Sequence, residues 1–309
     1  KPFKIYLNAR LAIDGFFIIS GFLIAKSYEN SAILKEYIIR RAKRIIPAYA
    51  AVILASALLF SIISSYSIYE YFSNSQFWNY LAANLSFQNY LEPCLPGVFE
   101  TNKFCAVNGA LWTIKLEEAF YLLVPVFYWL VRVKKLNFYA LIVIVYLLSV
   151  TYYMYFLSTG NYRIAKQLPG ALAFFATGIV FYKNFSILKK WKDYIIIPCL
   201  IVFVLEHYIL KTQLLKPISF GFMVFYAAYS FRFLNNFGKY GDFTYGIYIY
   251  HYPLIQLFGF LGLFNKYPPL IICTLILMLT LLMAILSWYL VELPYLSKNR
   301  RLRQKKLRT

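Results

Sequence analysis

A chain of 309 residues that is 61% apolar and only 14% charged lacks the roughly 25% charge of a water-exposed protein. Its 29 Phe and 30 Tyr exclude a disordered polymer, a collagen-like fibre, a disulfide-rich mini-protein and a cytosolic enzyme. The formal charge of +20 comes from Lys and Arg lying between apolar stretches and at the C-terminus. Membrane-surface electrostatics therefore explains it better than nucleic-acid binding.

A spanning helix needs about 20 mainly apolar residues and must satisfy its own backbone polar groups. Long apolar runs, rather than ten-residue alternation, predict an all-α, polytopic helical membrane protein. Nine spans are expected, near 11–25, 45–66, 111–131, 136–157, 164–183, 193–210, 215–234, 242–264 and 269–291. Residues 1–296 read as a single integral-membrane domain and 297–309 as a basic tail. With nine spans the termini face opposite sides, and the Lys and Arg of alternate connections divide into 22 and nine. The richer face is expected to be cytoplasmic, with the C-terminus on it. Lys1 would then lie outside with no signal-peptide pattern to carry it there. One further helix before Lys1 is the simplest expectation, giving ten spans in the complete protein.

Ionisable residues inside a span are costly and mark cavities or partners. In chain order the first is Asp14, in the first span. The connection that follows carries Arg40, Arg41, Lys43 and Arg44. These suit an anchor for anionic headgroups, or a phosphate grip, because Arg41 and Arg44 are one helical turn apart. The long outer connection, 67–110, holds Cys94 and Cys105, which a disulfide would close if that side is oxidising. Lys115, Glu117 and Glu118 open the third span. Lys115 and Glu118 can pair along one face, whereas Glu117 points elsewhere and is expected to face a cavity. Glu206 and His207 lie near an outer boundary and are expected to be solvated. His251 precedes Pro253, which should kink the helix and free a carbonyl. No metal site is expected, since neither the two histidines nor the four cysteines have ligand spacing.

Four segments carry a resemblance. Asp14-Gly15-Phe16-Phe17-Ile18-Ile19-Ser20-Gly21-Phe22-Leu23, Arg41-Ala42-Lys43-Arg44-Ile45-Ile46-Pro47-Ala48-Tyr49, Trp112-Thr113-Ile114-Lys115-Leu116-Glu117 and Tyr245-Gly246-Ile247-Tyr248-Ile249-Tyr250-His251-Tyr252-Pro253 occur in that order. Glu292-Leu293-Pro294 closes the last span. Together they resemble the membrane acyltransferase-3 family from near residue 9 to near residue 296. Two features depart from its pattern: Lys115 stands where the family has a small residue, and the family's first-span Arg and His pair is missing. Arg10 cannot replace that Arg, because Gly21 occupies the place of the His.

The resemblance implies an O-acyltransferase moving an acyl group, expected to be acetyl, from cytoplasmic acyl-CoA to a hydroxyl. The acceptor would be an extracytoplasmic glycan or a lipid-linked sugar. Arg41 and Arg44, with Arg40, would bind the donor, while Asp14, Glu117 and His251 would form the catalytic pocket. The family's own base would be the His upstream of Lys1, oriented by an acid such as Glu117. The resemblance also implies membrane lipids as surroundings and a bacterial inner (cytoplasmic) membrane as the location. A transporter or flippase for a lipid-linked or small anionic substrate is the alternative, although no internal inverted repeat is visible.

Overall fold

The computed structural model describes residues 9–210, 212–231 and 238–296. Residues 1–8 and the basic tail 297–309, on which the expectations about the termini rest, lie outside them. The helices are α1 (Ala9–Glu29), α2 (Leu34–Leu59), α3 (Ile68–Ser73), α4 (Ser75–Leu85), α5 (Trp112–Arg132), α6 (Phe138–Ser158) and α7 (Tyr162–Ala165). They continue with α8 (Leu168–Lys183), α9 (Phe185–Val204), α10 (Lys216–Ser230), α11 (Thr244–Phe260), α12 (Leu263–Lys266), α13 (Pro269–Ser287) and α14 (Leu293–Tyr295). The described residues contain no strand.

Six of these segments are long and apolar enough to cross a membrane: Arg10–Glu29, Leu34–Ile63, Phe138–Ser158, Tyr162–Lys183, Phe185–Leu210 and Pro269–Tyr295. The other three expected spans coincide with helices that fall short of that standard. α10 has 15 residues and α11 has 17, while α5 carries Lys115, Glu117, Glu118 and Arg132 among its 21. The structure also moves one boundary. α2 starts at Leu34 and continues through Pro47, so Arg40, Arg41, Lys43 and Arg44 belong to a helix rather than to the connection before it.

The described residues fall into two compact units, one within Lys1–Tyr37 and Leu116–Asn235, the other within Ile38–Lys115 and Asn236–Thr309. The boundaries interrupt α2 and α5. In the first unit α1 lies against α8, and both backbones need glycine to approach so closely. A Cβ on Gly21 would collide with the Phe175 carbonyl, and one on Gly178 with the Ile18 carbonyl. Small residues at a crossing let membrane helices gain packing contacts where burial from water contributes nothing. Beside this crossing, Phe120 stacks on Phe175 at 4.1 Å and meets Phe17 edge-on at 5.4 Å.

In the second unit Gly246 of α11 lies against Ala284 of α13 in the same manner. The chain between α2 and α5 has structure of its own. α3 opens with a capping box in which Ser67 and Glu70 satisfy each other's backbone N–H groups, an arrangement that offsets the orphan donors of a helix start. Two bonds from Ser67 hold the Glu70 carboxyl below its ordinary range. Asn74 caps α4 by accepting from the Gln76 N–H. Gly97, at φ +66°, returns the chain to the end of the α2 segment, where its carbonyl accepts the Ser65 N–H.

The α1/α8 crossing makes Gly178→Val a severe change. The added side chain meets backbone that cannot retreat, so a loss of about 3 kcal/mol or more is expected. Thermal unfolding in detergent should show it, beside Leu277→Ala at an exposed position of α13, which should melt like the parent protein.

Candidate active site

Asp14 is fully buried in α1. One carboxylate oxygen meets Arg10 Nε at 2.8 Å, one helical turn away, and the other meets Lys216 Nζ at 3.5 Å. Lys216, which falls in the expected span 215–234, is buried too, at the first position of α10. The expectation that Glu206 is solvated also fails. Its side chain is buried, accepts from Thr212 Oγ1 and the Leu215 N–H at 2.8 Å each, and accepts from the Lys216 N–H. A helix beginning in an apolar medium has N–H groups that nothing else can satisfy, and this carboxylate satisfies those of α10. The cluster holds Arg10 and Lys216 against Asp14 and Glu206, a charge-balanced set of the kind that burial demands.

Glu117 of α5, also buried, accepts a 2.5 Å hydrogen bond from the Tyr121 hydroxyl one turn on. Pro125 lies inside the same helix. Having no N–H, it releases the carbonyl four residues back, which is that of Tyr121, and the Tyr37 hydroxyl donates to this carbonyl at 3.0 Å. The partner of Glu117 is thus anchored at both its backbone and its side chain. The pairing of Lys115 with Glu118 open in the sequence is not what the structure assigns to Lys115. Its ammonium donates to Gln88 Oε1 at 3.1 Å and lies 4.3 Å from the Tyr90 ring centre.

In the second unit, the two arginines spaced for a shared phosphate grip have different surroundings. Arg44 is committed to carboxylates, with Nη1 2.6 Å from Glu292 and Nη2 2.8 Å from Asp242. Its guanidinium also lies 5.5 Å from the Tyr245 ring centre and 5.8 Å from that of Trp288, distances at which cation–π attraction contributes. Glu292 is buried and takes a further bond from Ser287. Arg44 therefore ties α2 to both the start of α11 and the end of the last long helix. Arg40 is exposed and Arg41 half-buried on the same helix.

His251 is half-buried on α11, with Nδ1 2.6 Å from the Tyr248 carbonyl. A carbonyl only accepts, so Nδ1 carries the proton and Nε2 of the neutral ring keeps its lone pair. Pro253 follows two residues later and frees the Ile249 carbonyl. Asn108 Nδ2 donates to that carbonyl at 2.7 Å, while its Oδ1 accepts the Ala110 N–H. The Tyr248 hydroxyl donates to the Ala110 carbonyl at 3.0 Å and lies in close contact with Thr113 Oγ1. Further along α11, Gln256 Nε2 donates to the Phe104 and Ala106 carbonyls at 2.7 Å each. These flank Cys105, which is disulfide-bonded to Cys94. The disulfide loop and the residues after it thus frame the helix that presents His251.

Asp14 and Glu117 accordingly lie in one unit, and Arg40, Arg41, Arg44 and His251 in the other. Sequence reasoning missed Lys216, Asn108 and Asp242. An asparagine outside a span gives no pattern of its own, although the helix proline that needs it was a visible signal. Among the described residues, no three His, Cys, Asp or Glu side chains could jointly hold a metal ion.

The profile of the family described as an acyltransferase domain matches residues 2–289, which takes in both units, and the chain belongs to that family. It is an O-acyltransferase. The chain is 25% identical to the O-acetyl transferase of Shigella phage Sf6 over 94% of its own length and 85% of that protein's. It is 26% identical to the O-acetyltransferase OatA of Staphylococcus aureus over 95% of its own length, which spans 55% of OatA. No solved structure matches it.

Two substitutions test the local chemistry. Arg44→Ala leaves Glu292 and Asp242 without their cation and should cost about 3–5 kcal/mol, as removal of one member of a buried pair does. Adding Glu292→Gln should recover part of that loss in the melting temperature. Asn108→Ala strands the carbonyl that Pro253 frees and should cost about 1–3 kcal/mol. In a Pro253→Ala background, where a backbone N–H returns to that carbonyl, the same change should cost markedly less. Equal costs in the two backgrounds would show that Asn108 acts elsewhere.

Proposed function

We propose that this protein transfers an acetyl group from cytoplasmic acetyl-CoA to a hydroxyl of an extracytoplasmic or lipid-linked carbohydrate. The observation that carries the reading is near-complete coverage by relatives named as O-acetyltransferases. The nine expected spans of this chain would include α5, α10 and α11, crossing as shorter or more polar helices supported by their neighbours. The location would be a bacterial cytoplasmic membrane, with the C-terminal tail inside.

The donor's phosphates would be held by Arg41, with Arg40 beside it at the exposed start of α2. Arg44 would fix that helix through Asp242 and Glu292, and so act on the donor site by position more than by contact. Guanidinium groups suit this task because each presents a planar fork to phosphate oxygens. The chemistry requires the acceptor oxygen to attack the thioester carbonyl carbon as its proton passes to a base. The C–S bond then breaks, and coenzyme A leaves as the thiol by taking up a proton. His251 would help to position the acceptor hydroxyl. Glu117 and Asp14 would bind and orient polar groups in their own unit, and hydrogen-bond donors at the thioester oxygen would stabilise the charge that develops there.

The test is binding and transfer with isotopically labelled acetyl-CoA by the purified protein in nanodiscs. Arg41→Ala should weaken donor binding at least tenfold in protein that still melts in a single cooperative transition. His251→Ala should leave donor binding intact and lower transfer to a carbohydrate acceptor at least a hundredfold. Failure of the folded parent protein to bind acetyl-CoA would sink the donor assignment.

A further inference from the structure

The first unit contains an open apolar cavity of about 150 Å³, lined along its length by α5, α6 and α8. No polar side chain contributes to the lining, which runs on α5 from Leu123 to Leu130 and on α6 from Leu141 to Val145, with Phe175 and Ala176 behind. Seven residues of helix extend about 10 Å, enough for a stretch of extended hydrocarbon. An apolar cavity of about this volume stays dry and accepts a benzene-sized guest.

What lies at one end of the groove identifies the occupant. Leu130 is in the last turn of α5 and Leu141 in the first turn of α6; Arg132 ends α5 and Lys134 and Lys135 lie in the tight turn between the two helices, all three exposed. Arg132 lies 5.2 Å from the Tyr128 ring centre and 5.9 Å from that of Tyr28, while Lys134 lies 5.3 Å from that of exposed Trp129. Aromatic rings with such partners are typical of the headgroup layer. Lys183 joins them at the end of α8, 5.9 Å from the Phe138 ring centre. The carboxylate in this cluster is Glu29, which accepts from Tyr128 at 3.0 Å and pairs with Lys183 at 3.4 Å. Four cations around one carboxylate leave a positive rim at the mouth of a hydrocarbon slot.

We propose that this groove is a binding site for an anionic glycerophospholipid, one acyl chain lying along α5, α6 and α8 and the headgroup phosphate held by Arg132, Lys134 and Lys135. The proposal does not depend on the donor and acceptor chemistry. Its specificity comes from the rim, since the groove alone would take the chain of any lipid.

Native mass spectrometry of the delipidated protein, titrated with phosphatidylglycerol and with phosphatidylcholine of identical chains, tests the proposal. One phosphatidylglycerol should bind at least tenfold more tightly than phosphatidylcholine. Lys134→Glu/Lys135→Glu, at exposed positions whose change leaves the melting temperature near the parent value, should abolish that preference. Val145→Trp, which places an indole in the groove, should remove the adduct. Phosphatidylglycerol with four-carbon chains should bind at least tenfold more weakly than the long-chain lipid, a comparison that needs no variant. Equal affinity for the two headgroups, a preference that survives the charge reversal, or tight binding of the short-chain lipid would each overturn the assignment.

Discussion

Away from water, a carbonyl that has lost its partner must find another, and that constraint governs how the polar residues of this protein are placed. Pro125 and Pro253 each remove one N–H from a helix. The carbonyls they release, of Tyr121 and Ile249, are taken up by the Tyr37 hydroxyl and the Asn108 amide. Each such bond replaces a desolvation cost of about 1–3 kcal/mol with a contact from a distant part of the chain. Both prolines also lie shortly after a residue with chemical potential. Tyr121 bonds Glu117, and His251 bonds the Tyr248 carbonyl in the turn that Pro253 disturbs. The bond that makes each proline tolerable therefore also fixes the side chains beside it.

Charge obeys the same rule within each unit. Arg10, Asp14, Lys216 and Glu206 balance, with Glu206 also serving as the cap of α10. Arg44 is divided between Asp242 and Glu292 and covered by two aromatic rings. Such sets contribute little net stability compared with apolar packing, but removing one member leaves an uncompensated ion. Their value is in holding helices at one position, since a charge that must meet its partner cannot slide along a greasy interface.

Much of this was legible in the sequence. Apolar run length gave the helical class and placed α1, α6, α8 and α13 well, because a lipid-facing helix must be apolar over its whole length. The carbonyl freed by Pro253 was legible for a local reason, the missing N–H. The tertiary partners were not. Lys216 gave no signal of its own beside the polar Lys211 and Thr212, and only the packing of α10 against α1 carries it to Asp14. Glu206 looked solvated because it lies near a span's end, whereas a helix start in the same place needs an acceptor. The start of α2 was missed because a cationic stretch reads as a connection, although Lys and Arg are good helix formers.

The Arg41/Arg44 spacing shows what a motif can and cannot specify. Positions three apart on a helix share a face, so the spacing invites the reading that both guanidiniums serve one phosphate ligand. The structure gives Arg44 two carboxylates and two rings, an arrangement that neutralises it and makes it a poor partner for a further anion. A polyanionic donor arriving at this helix would be attracted by its other cations, among them Arg40 and Lys43, which are exposed on it. A motif of this kind is then better understood as one residue that fixes the helix next to others that serve the ligand. The two roles call for the same residue type because both depend on a planar, permanently charged fork.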